Sequence, residues 1–596
     1  YGVDIEAGAV DIARLRFWLS LVVDEQRPQP LPNLAYKIVV GNSLVGELNG
    51  ENLSIDWNES DTAKGFFLQE TILEKIKLLE QIIEKQKTYF EAKGEEKQQI
   101  DKQIRQLKIE ILEKELQIMI KDKGTELDKN AKKTTAEQMQ KFMQTQGWKN
   151  SLKQIQQLKT NDKPLPYFDF ELDFPEVMNS LINENKGFDI VIGNPPYIQL
   201  QKKEGFLGQK YSNLDYQTFT KKGDIYMLFY ERGCKLLKPK GVLCYITSDK
   251  WMRADYEQAT RQFLLDHANT QLLIDLPPKV FENATVDTNI LLFTKNKYNG
   301  TTKTCKVKNR SDLQKLGEYI DENSQNQIFD STENWAILSD IQRQIKRKVE
   351  SKGTPLKEWN INIYRGILTG YNEAFIIDKQ KREELIKQDP KNAEIIKPIL
   401  RGKDIKRYSY EWKELYLINT HNGVKSKNIS RIEIEDYPVI KAHMDKIGEK
   451  DKKFYTRSDK GDTPYNLRNC AYIEEFEKDK VVWNRIAKEK LFALVDKNIF
   501  IQDGMHFFTG EHLKFLCCVL NSRLFSWLLY LIIGDAAGGN AGNASNVSDL
   551  YVPIPDKATE AEIEQLLKEE KYKEIDKKIY ELYGLIEEEI LEIERN

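Results

Sequence analysis

Apolar and polar positions along the chain fall into two periods. Tyr1-Gly2-Val3-Asp4-Ile5 reads as a short strand ending in a carboxylate, and Ala9, Ile12, Ala13, Leu15, Arg16 and Leu19 follow at helical spacing. A second strand is predicted from Lys37 to Val40, closing in Gly41-Asn42-Ser43. Strand, helix and strand with polar residues at the carboxyl ends is how an open α/β sheet presents ligand groups at its crevice. The period then lengthens. Ile72, Ile76, Leu79, Ile83 and Phe90 are spaced 4, 3, 4 and 7, and after Gly94 the residues Ile100, Ile104, Leu107, Ile111 and Ile118 repeat that spacing. Two such stripes around a glycine predict an antiparallel helical hairpin. Two readings of it stay open: an arm that contacts DNA or a partner, or a solvated insertion that packs on itself. The Lys-rich stretch from Lys121 to Lys133, with Leu127 as its only large apolar residue, reads as a frayed connection.

The sheet pattern resumes at Phe188-Asp189-Ile190-Val191-Ile192-Gly193, an apolar run that leads straight into Asn194-Pro195-Pro196-Tyr197. A helix from Asp224 to Leu237 is stopped by Lys238-Pro239-Lys240-Gly241 before a strand from Val242 to Thr247. A helix from Arg253 to Leu265 and strands at Gln271 to Asp275 and Thr288 to Thr294 complete the run, which Pro277, Pro278 and Gly300 punctuate. Beyond Gly300 the alternation ends, so a domain boundary is expected between about 300 and 340.

Composition narrows the class. A chain of 596 residues exceeds one compact core, and 40% apolar with 31% charged residues suits a soluble protein of two or three domains. The most hydrophobic segment, Leu513 to Ile533, carries Lys514 and Arg523 and reads as a buried helix, so no membrane partner is expected. No positively charged leader opens the chain, and a cytoplasmic location is expected. Six cysteines and five histidines lack metal-ligand spacing, which predicts reduced thiols and no metal centre. The net charge of -3 argues against indiscriminate nucleic-acid binding, yet residues 341–410 hold 17 Lys and Arg against 9 Asp and Glu.

The tetrapeptide at 194–197 carries the chemistry. An exocyclic amine on a nucleobase is a poor nucleophile because its lone pair is delocalised into the ring. Activating it for methyl transfer requires acceptors for both amine hydrogens. The Asn194 side-chain oxygen supplies one and the Pro195 carbonyl the other, on a backbone that Pro195 and Pro196 stiffen. Tyr197 offers a flat face on which a base swung out of a duplex could stack. The competing account is an ordinary turn at a strand end.

Together these residues resemble the amino-methylating DNA methyltransferases whose cofactor motifs precede the catalytic one, and more narrowly the adenine methylases of single-chain, Type IIG-like restriction-modification enzymes. The resemblance implies a Rossmann-like α/β methyltransferase sheet, a helical-hairpin insertion and a C-terminal α+β DNA-specificity domain. The expected spans are 1–65 and 161–300 for the methyltransferase, 66–160 for the insertion, 301–340 for a linker, 341–555 for target recognition and 556–596 for a helical end. It implies S-adenosylmethionine as cofactor, with Asp4 and neighbouring Ile5 at its ribose, Asn42 at its adenine and Asn194 beside it. It implies Phe281 opposite Tyr197 around the target adenine, although an ordinary core phenylalanine fits the sequence as well. Double-stranded DNA is the implied partner. Arg365, Tyr371, Arg401, Lys403, Lys406 and Arg407, with Tyr364 and Tyr408 interleaved, are candidates to touch it.

The family's glycine-rich cofactor turn is expected about 20 residues before an acidic strand end, which places it ahead of Tyr1. The sequence therefore reads as a fragment, with that turn and any nuclease domain of the relatives upstream. The run Gly534 to Gly542 lacks a strand-turn-helix setting and reads as a loop near DNA or a linker. Two other functions stay open: a protein glutamine methyltransferase, which meets the same lone-pair problem, and a non-catalytic DNA-specificity scaffold.

Overall fold

The computed structural model describes all residues except 24–33, 49, 54, 56, 58–65, 127–135, 162, 203–204, 282–285, 486–488, 490, 534–541 and 596. The chain divides into two compact units, Tyr1–Ile337 and Leu338–Asn596.

The first unit is α/β. Phe188–Gly193 lies at one edge of a six-stranded mixed sheet, followed in spatial order by Leu237–Ser248, Thr288–Thr294, Asn269–Asp275, Thr302–Lys306 and Gln325–Gln327. Phe188–Gly193 pairs in parallel with Leu237–Ser248, placing Gly193 beside Tyr245. Gly2–Asp4 and Ile38–Val40 form a separate parallel pair with Asp4 opposite Val40. Val3 and Val39 nevertheless share one apolar cluster with Phe188 and Val191, around Phe168, Phe170 and Phe174. On the opposite side of the edge strand Ile190 is 68% and Ile192 80% exposed.

The segment expected as a linker at 301–340 contains the sheet strand Thr302–Lys306, parallel to Asn269–Asp275. Its sequence, Thr-Lys-Thr-Cys-Lys, hides the strand because polar side chains occupy it: Thr302 and Thr270 are buried and joined hydroxyl to hydroxyl at 2.5 Å. The helical insertion has a third member. Phe66–Glu91 and Gly94–Lys123 form the hairpin, and Ala136–Lys159 packs along the second helix. Nor does it pack only on itself, since its core joins Leu79, Ile104, Leu112 and Ile155 to Leu48, Leu53, Tyr167 and Leu172 of the surrounding unit. Of the stretch read as frayed, Lys121 to Lys123 end the second helix, whereas 127–133 lie outside the described residues.

The second unit is α+β, with two four-stranded sheets. One is antiparallel, in the order Ile361–Arg365, Met505–Gly510, Lys480–Asn484, Phe492–Val495. The other runs Ile376–Asp378, Leu415–Ile418, Ile396–Leu400, Phe500–Ile501. The hydrophobic segment expected as one helix is two, Leu513–Asn521 and Arg523–Ile533, bent by 62° where Ser522 leaves the helical conformation. It is buried as expected, with Phe515 to Leu520, Leu524 and Phe525 fully inside the core. No single helix among the described residues is long and apolar enough to cross a membrane. The terminal helices Lys557–Lys568, Tyr572–Tyr583 and Glu587–Arg595 complete that same core through Ile563, Ile575, Ile579 and Ile593.

Candidate active site

Asn194 begins the loop at the carboxyl end of Phe188–Gly193, where a parallel strand delivers side chains out of the sheet. Gly193 lets this strand approach its neighbour: a Cβ there would stand 3.0 Å from the Tyr245 ring. Pro195 is buried and Asn194 exposed. The Tyr197 hydroxyl donates to Asn194 Oδ1 at 3.0 Å, which leaves that oxygen a second lone pair for another donor. Burial pushes the Tyr197 hydroxyl up to about 12, so it keeps its proton at neutral pH and remains a donor.

After Tyr197 the chain is stapled to the segment that opens the helix Tyr226–Leu236. The Leu200 amide donates to the Gly223 carbonyl and the Ile225 amide to the Ile198 carbonyl, each at 2.9 Å. The Tyr226 ring then stands perpendicular to that of Tyr197, centroids 6.3 Å apart. Beneath it the Tyr226 hydroxyl lies 2.8 and 2.7 Å from the two carboxyl oxygens of buried Glu257. Tyr226 lies in the segment from Asp224 to Thr247 that the family resemblance implies as a wall of the target pocket, whereas nothing local in the sequence marks Glu257 as its buried partner.

Asp4 ends its strand exposed, with Oδ1 accepting from the Glu6 amide at 2.8 Å. The Gly41 amide donates to the Asp4 carbonyl at 2.8 Å, tying the Asn42 turn to the end of that strand. Asn42 Oδ1 accepts from the Leu44 amide at 3.0 Å while its amide nitrogen faces the Tyr211 hydroxyl at 3.4 Å. Arg232 holds the same turn by donating to the Ser43 carbonyl. Ile5 is exposed. Phe281 is half-buried and precedes 282–285, which lie outside the described residues; among those described, the ring beside Tyr197 is Tyr226, not Phe281.

In the second unit, Arg365, Arg401 and Lys403 come together where several strands end. The Ile367 amide donates to the Ile501 carbonyl, the Gln502 amide to the Leu400 carbonyl and the Asn484 side chain to the Gly402 carbonyl. Arg365 pairs with Asp503, and Arg401 Nε lies 3.5 Å from Asp404. Lys403 and Lys406 are exposed, the latter 3.9 Å from Glu411. Arg407 donates to the Asn521 carbonyl, and the Tyr371 hydroxyl to Asp451. The interleaved tyrosines are structural here: Tyr408 stacks on Tyr572 and Tyr364 packs on Tyr472 and Phe507. Of the Gly534 to Gly542 run, 534–541 lie outside the described residues, and the Gly542 carbonyl accepts from the Trp483 indole. All six cysteines are free thiols, and no cluster that could hold a metal occurs among the described residues.

Residues 1–281 match the family model of the Eco57I restriction-modification methylase, and residues 397–537 that of the TaqI-like C-terminal specificity domain. Over residues 1–281 the chain is thus similar to the Eco57I restriction-modification methylases, and over residues 397–537 to TaqI-like specificity domains. It is 26% identical over 280 residues to the Type II methyltransferase M.BstVI of Geobacillus stearothermophilus, covering 43% of this chain and 47% of that protein. It is 27% identical over 210 residues to the Type II restriction enzyme and methyltransferase RM.Eco57I of Escherichia coli, covering 33% and 20%. The chain thus spans less than half the length of these curated relatives. Among solved structures, the Type IIL restriction-modification enzyme MmeI in complex with DNA is similar at a TM-score of 0.47 and 11% identity, covering 82% of this chain and 70% of that one.

Proposed function

We propose that this chain transfers a methyl group to the N6 amine of an adenine flipped out of a specific duplex sequence, as the modification component of a restriction-modification system. The carrying observation is the geometry of the 194–197 loop: an exposed Asn194 whose side-chain oxygen is oriented by the Tyr197 hydroxyl at 3.0 Å. Asn194 Oδ1 and the Pro195 carbonyl accept the two amine hydrogens, which returns lone-pair density to the nitrogen. Tyr197 stacks on the base, Phe281 closes the opposite side, and the cost of unstacking is a few kcal/mol. The exposed Asp4 carboxylate beside the Asn42 turn fits the adenosine half of S-adenosylmethionine, and that cofactor supplies the methyl group when bound.

The TaqI-like specificity domain supports DNA over a protein amide as substrate, with exposed Arg365, Lys403 and Lys406 and half-buried Arg401 as the cations offered to it. The test is incorporation of labelled methyl groups into duplex DNA. Asn194→Ala is expected to lower the rate by about 10² or more, as when one aligned hydrogen-bonding group is removed from a reacting centre, while DNA affinity changes little. Equal rates in mutant and parent would sink the assignment.

A further inference from the structure

The environment of Glu257 is unusual for a carboxylate. It is fully buried, and so is its partner Tyr226. A tyrosine hydroxyl has a single proton to donate, yet both carboxyl oxygens lie within 2.8 Å of it. If the carboxyl carries a proton, both contacts become full hydrogen bonds, one in each direction. The surrounding charges do not demand an anion. Asp224, at the start of the same helix as Tyr226, is buried with Oδ2 unpartnered among the described residues and adds negative charge nearby. Lys250 and Arg261 face the group from the turn after Leu237–Ser248 and from the helix Gln258–His267, but Arg261 donates to the carbonyls of Trp251, Ala254 and Thr332. Tyr256 and Tyr230 complete the surroundings.

The pair is coupled to the loop by two routes. The Tyr226 ring meets the Tyr197 ring at right angles, and the residues before Tyr226 are hydrogen-bonded to those after Tyr197. We propose that Glu257 retains its proton and forms a closed, two-way hydrogen-bonded pair with Tyr226, which holds the Tyr226 ring against Tyr197 and makes Glu257 a positioning residue for that aromatic platform. The proposal rests on the reading of Tyr197 as the base-stacking residue only for its purpose, not for its geometry. Burial, opposed by the Tyr226 hydroxyl bond, pushes the Glu257 carboxyl up to about 8, in accord with a proton held at neutral pH.

The experiment needs neither DNA nor cofactor, so its failure is distinct from failure of the methyl-transfer reading. Infrared spectroscopy of the full chain with isotope-labelled glutamate at pH 7 is expected to show a protonated-carboxyl band that is absent in Glu257→Gln, moves in Tyr226→Phe and disappears as pH rises past about 8. In 3-fluorotyrosine-labelled protein, the Tyr197 resonance, assigned with Tyr197→Phe, is expected to keep its shift in Glu257→Gln, whose amide can also donate and accept. It is expected to move in Tyr226→Phe and Glu257→Leu, and in the parent above the pH at which the band is lost. If Glu257→Leu does not fold, Tyr226→Phe carries the comparison. A carboxylate band alone at pH 7, an unmoved Tyr197 resonance in Tyr226→Phe, or a Glu257→Gln protein that behaves like Tyr226→Phe each overturns the proposal.

Discussion

Gly193 shows how one missing side chain sets the position of the loop. A Cβ there would stand 3.0 Å from the Tyr245 ring, which is itself buried against Tyr230. Gly193→Ala is expected to cost about 1–3 kcal/mol as an overpacking change, read as a lowered denaturant midpoint; an unchanged midpoint means the ring gives way freely. Lys480 is a second case, in the other unit. It is fully buried, its ammonium facing the carbonyls of Asp496 and Ile499 at 3.3 Å each, and burial pulls it down to about 8 against the partial support of Asp479 and Asp496. Below that value both folded and unfolded chains hold the proton, and the folded state bears the cost. Between about 8 and the ordinary 10.5 the unfolded chain keeps a proton the folded one has released, so stability rises with pH. Relative to Lys480→Met, the parent is expected to gain about 1–3 kcal/mol over that window in urea titrations; a falling or flat difference contradicts it.

At the scale of elements, the insertion repays attention because its helices bury charge. Lys75 and Glu115 form an ion pair between the two hairpin helices with side chains 7% and 1% exposed. Removing one partner of such a pair strands the other, whereas replacing both with apolar residues is often neutral. Glu115→Leu alone is therefore expected to cost about 3–5 kcal/mol, and Lys75→Met with Glu115→Leu to recover most of it, measured by thermal unfolding of the full chain. Equal losses in single and double variants would show that the helices depend on packing alone. The heptad spacing made two of these helices legible. The third, Ala136–Lys159, was not, because its buried residues Trp148, Ile155 and Leu158 are few and its remaining surface is polar.

At the scale of the molecule, the two units divide the labour the proposal requires. The strand ends of Leu338–Asn596 gather Arg365, Arg401 and Lys403, while Lys403 and Lys406 stay exposed. This unit expressed alone is expected to bind duplex DNA with an affinity that falls steeply with salt, and each cation in contact with phosphate contributes about 0.9 to the logarithmic slope. Lys403→Ala with Lys406→Ala is expected to reduce the slope by about 2. An affinity that does not change between low and moderate salt places the DNA-binding face elsewhere.

The sequence alone determined the α/β class of the first unit, the strand that delivers Asn194-Pro195-Pro196-Tyr197 and the existence of a later module, because these follow from local periodicity and stiff turn chemistry. It also marked Leu513 to Ile533 as buried, since a charge-poor apolar run gains most by entering a core. Tertiary structure decided what depends on contacts distant in sequence. It made a sheet strand of polar Thr302–Lys306, by pairing Thr302 with Thr270, and gave Tyr197 its perpendicular neighbour Tyr226. It turned Glu257 from one glutamate among many into a buried partner of that tyrosine, because burial is a property of the folded surroundings rather than of the residue.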